Sequence, residues 1–375
     1  MKEKNKIGTV LIISMVILIA IGFIGVSSSS IIDSMKSTNN TNPYYYSYKH
    51  LISIFIGFLG FIVGYKLDYH KYKKIWGFLF ISAFVLCLIV LTSYVGKNIG
   101  NARRWISVGS ITFMPSDIMK AASIVLCASY LDNNKKKIIK GKGTILSFYV
   151  IIFFSTLLIL MQPDLSTSGV IMLTTVIMYF VVGAKLHKIG INLSGLLVIA
   201  FIYIKLIKTN YSNSRMDRIK SFLNPLGYAK EGWQLSQSLF AISSGSLFGL
   251  GIGKSIRKYR YLSQAYSDFI FAIITEEMGF VGAFIVISMF FILIRQGAII
   301  AMRAKDVFGT LLAVGITSSL GIQAFINIGV SLGLIPTTGV TLPFLSYGGT
   351  SMIVSMGMIG VLLNILNQSG KEEIR

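Results

Sequence analysis

Five of the chain's fourteen carboxylates fall at or inside apolar runs: Asp117, Asp164, Asp268, Glu276 and Glu277. Ionisable groups in a bilayer are costly, so they face protein or water and point to function. Asp268 opens one apolar run. It follows a stretch, Lys205 to Ser267, with ten basic residues against two acidic ones, Asp217 and Glu231. Two readings fit it. An acid at a helix N-terminus is favoured by the macrodipole. A carboxylate at a cavity mouth, with Arg257, Lys258 and Arg260 near in sequence, can serve as a general base toward an anionic, lipid-linked substrate. Glu276 and Glu277 lie about 12 Å deeper along the same helix. A structural ion pair is expected there, with Lys120 as the best partner.

Lys120 stands three residues after Asp117, the spacing of a local salt bridge on one helix face. Pro115-Ser116 ahead of Asp117 is a helix start, so capping also accounts for that acid. Asp164 in Gln162-Pro163-Asp164-Leu165 sits at a break between two runs. It either caps the next helix or lines a cavity, because irregular backbone at membrane depth is tolerated where it does so. Arg103 and Arg104 precede Trp105. The trio anchors a helix at the interface or grips a phosphate with guanidinium forks. Trp233, Tyr259, Tyr261 and Tyr266 are interfacial belt residues or platforms for a sugar. Gly245, Gly249, Gly251 and Gly253 read as turn formers.

Positioning these groups falls to membrane helices. The chain of 375 residues is 54% hydrophobic and 13% charged, with a mean hydropathy of +0.72. Its apolar runs approach the ~20 residues that span a bilayer, and they do not alternate as barrel strands do. The expected class is all-α, a polytopic membrane protein with ten transmembrane helices. The spans fall near 7–27, 48–65, 75–95, 116–131, 144–161, 167–184, 189–207, 268–294, 307–334 and 346–367. Lysines 66, 71, 73 and 74, then 135, 136, 137, 140 and 142, then 185 and 188, share the side of the N-terminus. Positive charge inside makes both termini cytoplasmic. A large extracellular loop, 208–267, then joins helices 7 and 8. The first run is a retained signal anchor, its core being long and without a small-residue cleavage site. No soluble domain boundary shows, so residues 1–375 form one membrane domain.

Cys87 and Cys127 lie within spans, without a CxxC neighbour. His50, His70 and His187 show no metal-ligand spacing. The net charge of +21 would suit nucleic acid in a soluble protein. Here it points to anionic headgroups, and no nucleic-acid partner is expected.

The motifs then fall into an order. Asn101-Ala102-Arg103-Arg104-Trp105-Ile106, Pro115-Ser116-Asp117 with Lys120, and Gln162-Pro163-Asp164-Leu165 come first. Gly232-Trp233-Gln234 with Gln237-Ser238, Ser267-Asp268-Phe269-Ile270-Phe271 with Glu276-Glu277-Met278-Gly279, and Pro336 to Gly349 follow. In this order the chain resembles the SEDS family of bacterial membrane proteins, the FtsW, RodA and SpoVE group, from about residue 100 onward. The 336–349 motif, with Thr341 where RodA tends to have Pro, is closer to the FtsW/SpoVE branch. There are departures: Ser263-Gln264 replaces a common Pro-Glu pair, Tyr266 a common His, and Asp117 a Glu.

The resemblance implies a peptidoglycan glycosyltransferase. Such an enzyme polymerises lipid II, a disaccharide-peptide on undecaprenyl pyrophosphate, at the outer face of the cytoplasmic membrane. Its usual partner is a class B penicillin-binding protein. The family's proposed catalytic residue maps onto Asp268. Inversion in one displacement needs a base for the acceptor hydroxyl, worth roughly 10²–10⁴-fold, and positive charge for the departing pyrophosphate. Arg103, Arg104, Lys254, Arg257, Lys258 and Arg260 form the candidate pool. A divalent cation, Mg or Mn, could share that task, although no carboxylate cluster fixes one. A lipid II flippase, using Glu276, Glu277 and Lys120 near the midplane, and a non-catalytic scaffold for the synthase are the alternatives.

Overall fold

A computed structural model describes residues 2–92, 96–99, 102–108, 111–140, 145–184, 218, 220–225, 232–258, 262 and 265–369. Its helices are α1 (Lys2–Ser29), α2 (Ile31–Ser37), α3 (Tyr45–Lys66), α4 (Tyr69–Leu91), α5 (Pro115–Ile139), α6 (Ile145–Met161), α7 (Leu165–Val181), α8 (Trp233–Ser244), α9 (Ile270–Arg303), α10 (Val307–Ser331) and α11 (Gly349–Gln368). Nine of the expected spans coincide with helices. The seventh, 189–207, lies outside the described residues, as does most of 208–231. Among the described residues, α1 from Glu3, α3, α4, α9, α10 and α11 are each long and apolar enough to cross a bilayer. The protein is thus a multi-pass, mainly helical membrane protein.

One element departs from the all-α expectation. Residues between α4 and α5 form a small antiparallel sheet, β1 (Gly96–Ile99), β2 (Ala102–Val108) and β3 (Ile111–Phe113), in the order β1-β2-β3. The β1–β2 pairing is irregular at Arg104, with Lys97 opposite Trp105 and Asn98 opposite Arg103. Ile106 is buried, whereas Arg103 and Ser107 are exposed.

Helix ends follow local chemistry. Asp68 caps α4 by accepting from the His70 N–H at 3.0 Å, so that helix starts earlier than its apolar run. Asp164 caps α7 through the Thr167 N–H at 3.1 Å, and Asp306 caps α10 through the Gly309 N–H at 3.1 Å. Helix α5 opens on Pro115 and runs on to Ile139 through Lys135, Lys136 and Lys137. Lysine is a good helix former, so the helix outlasts its apolar part.

Helices α10 and α11 form the centre of the bundle, and α3 and α4 its rim. Of the most apolar stretch, 61% of α10 and 72% of α11 is buried, against 22% of α3 and 17% of α4. Helix α3 still lies flush on α11. A Cβ on Gly64 would stand 2.5 Å from the Gly357 carbonyl oxygen, and one on Gly360 2.3 Å from that of Phe61. Such backbone contact is how membrane helices pack without a hydrophobic driving force.

Helix α9 is broken at Gly279, whose φ is +67°. The segment after α8 enters the break. Leu250 and Gly251 N–H groups donate to the Glu276 and Glu277 carbonyls at 2.9 and 3.1 Å. Phe280 and Val281 N–H groups donate to the Ser246 and Leu247 carbonyls at 2.9 and 3.2 Å. A Cβ at Gly249 would meet the Glu277 carbonyl oxygen at 2.1 Å, so glycine is required there. The broken helix thereby recovers its backbone hydrogen bonds.

Candidate functional site

Asp268 sits in the turn over residues 265–268, just before α9. It does not cap that helix: the cap position is Phe269, and no side chain accepts a capping bond. The carboxyl is partly buried, and burial pushes its pKa above the usual carboxylate range. Ser267, Arg104 and Arg218 pull the other way, in that order, and Asp164 adds to the rise. Burial raises the basicity of this carboxyl, while the charges of Arg104 and Arg218 favour its ionised form.

The surrounding loops assemble from distant segments. Arg104 donates Nε to the Gln162 carbonyl at 3.1 Å and a terminal nitrogen to the Pro163 carbonyl. It thus joins β2 to the break before α7. Arg218 donates to the Thr337 carbonyl at 3.3 Å, and Ser166 Oγ to the Thr338 carbonyl at 2.8 Å. Gly339 completes the wall, with a Cβ position 3.5 Å from Asp268 Oδ2. Residues 337–339, absent from the candidate list above, therefore line the site with backbone. Arg218 was also missed. It belongs to the basic stretch, but no neighbouring motif sets it apart.

The other candidates divide. Asp164 caps α7, the first of its two readings, and its charge also acts on the Asp268 carboxyl. The Gln162 side chain is fully buried and donates to the Cys87 carbonyl at 2.9 Å, which fixes the break against α4. Arg103 is exposed, and Arg104 beside it stands at an irregularity in the β1–β2 pairing, where Lys97 pairs with Trp105 and Asn98 with Arg103. Trp233 is half-exposed at the start of α8, and Lys254 is exposed. Arg257 donates to Gln237 Oε1 at 2.7 Å and stacks over Phe240. Arg260, Tyr259 and Tyr261 lie outside the described residues.

The ion pairing differs from expectation. Lys120 pairs with Asp117 at 2.7 Å and donates to Gln323 Oε1 at 2.7 Å; it does not meet Glu276 or Glu277. Those two glutamates instead hold the segment entering the α9 break. Glu277 Oε1 accepts from Lys258 Nζ at 3.2 Å, Ser28 Oγ at 2.5 Å and the Ser255 N–H at 3.3 Å. Glu276 accepts from Ser255 Oγ at 2.5 Å and from the Ile256 and Arg257 N–H groups at 3.1 and 3.4 Å. Depth along α9 pointed to another helix as the partner. The re-entrant segment, with no periodic signature, supplies it. Among the described residues no cluster of three or more His, Cys, Asp or Glu side chains gathers that could hold a metal ion.

Beside the site lies a cavity of about 540 Å³, lined by Tyr45, Lys49, Trp105, Thr112, Tyr347 and Thr350 among others. A second, apolar cavity of about 250 Å³ lies between α3, α4, α5, α10 and α11, lined by Gly64, Tyr72, Leu79, Val125 and Leu312 among others. Ile118 and Val354 line both. Both linings are mainly apolar, the larger one also carrying Lys49 and several hydroxyl groups.

Comparison with known proteins agrees with this architecture. The family model described as "Cell cycle protein" (FTSW_RODA_SPOVE) matches residues 9–371. The chain is 37% identical to stage V sporulation protein E of Bacillus subtilis (strain 168), over 98% of this chain and 99% of that protein. It is 36% identical to a probable peptidoglycan glycosyltransferase FtsW of Trichlorobacter lovleyi, over 95% of this chain and 92% of the relative. Among solved structures, one described as "Structural coordination of polymerization and crosslinking by a peptidoglycan synthase complex" superposes with a TM-score of 0.78 at 22% identity. It covers 96% of this chain and 98% of that one. The rod shape determining protein RodA of Thermus thermophilus superposes with a TM-score of 0.69 at 23% identity, covering 96% and 97%. The chain belongs to the FtsW/RodA/SpoVE family, the SEDS family, and within it to the FtsW/SpoVE branch.

Proposed function

We propose that this protein is a peptidoglycan glycosyltransferase that polymerises lipid II into glycan strands at the outer face of the cytoplasmic membrane. The reading includes ten transmembrane helices, cytoplasmic termini and an extracellular loop over 208–267. A class B penicillin-binding protein is its proposed partner, in keeping with the synthase complex that the fold resembles.

The observation that carries this reading is the place of Asp268, a partly buried carboxyl in the turn before α9, with Oδ2 against the Gly339 backbone and the charges of Arg104 and Arg218 acting on it. Asp268 takes the proton of the acceptor sugar hydroxyl as that oxygen attacks the anomeric carbon of the donor. The bond from that carbon to the pyrophosphate breaks, and configuration inverts. Arg104 and Arg218 stabilise the negative charge on the departing pyrophosphate. The two mainly apolar cavities, which share Ile118 and Val354, suit the polyprenyl chain of the substrate. Asp117, Lys120, Glu276 and Glu277, which would serve a transport pathway, are satisfied by protein groups instead. That favours catalysis over flipping.

The test uses purified protein and lipid II in detergent, with and without a class B synthase, where no bilayer exists to flip across. Glycan chains from the wild type, lost with Asp268→Ala, support the enzyme. Absence of chains even with the partner present would reject it.

A further inference from the structure

The turn that carries Asp268 is fastened through its backbone. Three consecutive carbonyls, 266 to 268, each accept one hydrogen bond from a different donor. The Tyr347 N–H reaches Tyr266 O at 2.9 Å, Ser346 Oγ reaches Ser267 O at 2.5 Å, and Asn327 Nδ2 reaches Asp268 O at 2.9 Å. Two of these donors are side chains, and both also hold a second segment. Ser346 Oγ accepts from the Leu342 N–H at 2.8 Å, and Asn327 Nδ2 donates to the Val340 carbonyl at 2.7 Å. Both side chains are buried, at 3% and 1% exposure. The stretch they fasten, 340–342, follows directly on Gly339, the residue against the Asp268 carboxylate. The Tyr266 ring is fixed as well, stacked on Tyr46 at 5.2 Å and edge-on to Tyr347 at 5.5 Å.

We propose that Asn327 and Ser346 are positioning residues for Asp268: by tying the 266–268 turn to the 340–342 stretch, they set its carboxylate against the Gly339 backbone. This rests on the reading of Asp268 as the base. Neither side chain touches the reacting atoms, so each acts through the turn. Small misplacements matter in such a site, where a shift of about 1 Å can cost on the order of 10²-fold in rate. Loosening the turn also lets water reach the carboxyl, removing part of the burial that raises its pKa.

The test measures kcat, KM for lipid II and the pH–rate profile in detergent, on full-length protein with its class B partner. Ser346→Ala and Asn327→Leu are expected to lower kcat about 10- to 100-fold, with KM within about twofold. The acid limb of the profile moves to lower pH. Ser346→Thr, which keeps the hydroxyl, restores most of the rate and returns the limb. A merely structural role would lower the melting temperature and leave the limb in place. Wild-type kcat with an unmoved limb in folded Ser346→Ala overturns the proposal, and if Asn327→Leu does not fold, the two Ser346 variants decide. Asp268→Asn, run alongside, separates the two levels. If it polymerises normally, the base assignment fails. If it is inactive while Ser346→Ala is normal, only the positioning role fails.

Discussion

Two acidic clusters at this end of the bundle treat charge in opposite ways. Glu276 and Glu277 are buried and closed off by Lys258, Ser255, Ser28 and three backbone N–H groups. Asp268 is partly buried and acted on by the charges of Arg104 and Arg218, whose guanidiniums are bound to carbonyls 162, 163 and 337, and burial leaves its basicity raised. The first arrangement spends no carboxylate on chemistry; it locks a re-entrant segment into a broken helix. The second leaves a charged group incompletely compensated, which is what a general base needs. In a membrane protein, a buried acid is therefore informative mainly through what remains unsatisfied around it.

That contrast can be broken at either cluster. The largest stability effect is expected at the closed one. Lys258→Met leaves Glu277 buried without its cation and should destabilise the protein by about 3–5 kcal/mol, read as thermal unfolding in detergent. Adding Glu277→Gln should recover part of that loss. An unchanged melting temperature for Lys258→Met would show that the pair is not what holds the segment.

Effects at the open cluster concern rate and pH. Arg218→Ala should lower polymerisation about tenfold, the scale of one charge-assisted contact of about 1.4 kcal/mol. It should also move the acid limb to higher pH. Arg218 lowers the Asp268 pKa, so its loss raises that pKa further and less base is ionised at a given pH. This shift is opposite in direction to that expected for Ser346→Ala. A limb moving downward would contradict the assigned geometry.

The smallest effect belongs to the far end of the bundle. Hydrogen bonds from His70 bring the Asp68 pKa down to about 2. A depressed carboxylate contributes stability that is present above its unfolded pKa and is lost as pH falls through the folded one. The melting temperature of wild type should therefore show a small extra decline from about pH 4 toward pH 2, reduced in His70→Ala, which keeps the backbone N–H donor. Equal declines in the two proteins would remove that link.

Much of this was legible in the sequence because membrane helices announce themselves by apolar runs, and the acids inside those runs are few. Asp268 and Asp164 were singled out that way, Arg104 through its place before Trp105, and the Asp117–Lys120 pair through its local spacing. What stayed hidden was long-range and carried by backbone. Carbonyls 337 to 339 have no side-chain signature. Arg218 lies in a basic stretch where every cation looks alike. The partner of Glu277 is Lys258, nineteen residues earlier, because the chain turns back into the α9 break. The sheet was missed because its strands are short and its arginines read as an interfacial anchor.

The central claim is that Asp268 is retained for chemistry rather than for the fold. Because its pKa is raised, ionisation at neutral pH works against the folded state, and removing the charge relieves that. The most direct measurement is lipid II polymerisation by purified Asp268→Asn, with its melting temperature taken on the same preparation. The account predicts no glycan chains from a protein that melts at or above the wild-type temperature. Wild-type polymer yield from that variant would contradict it.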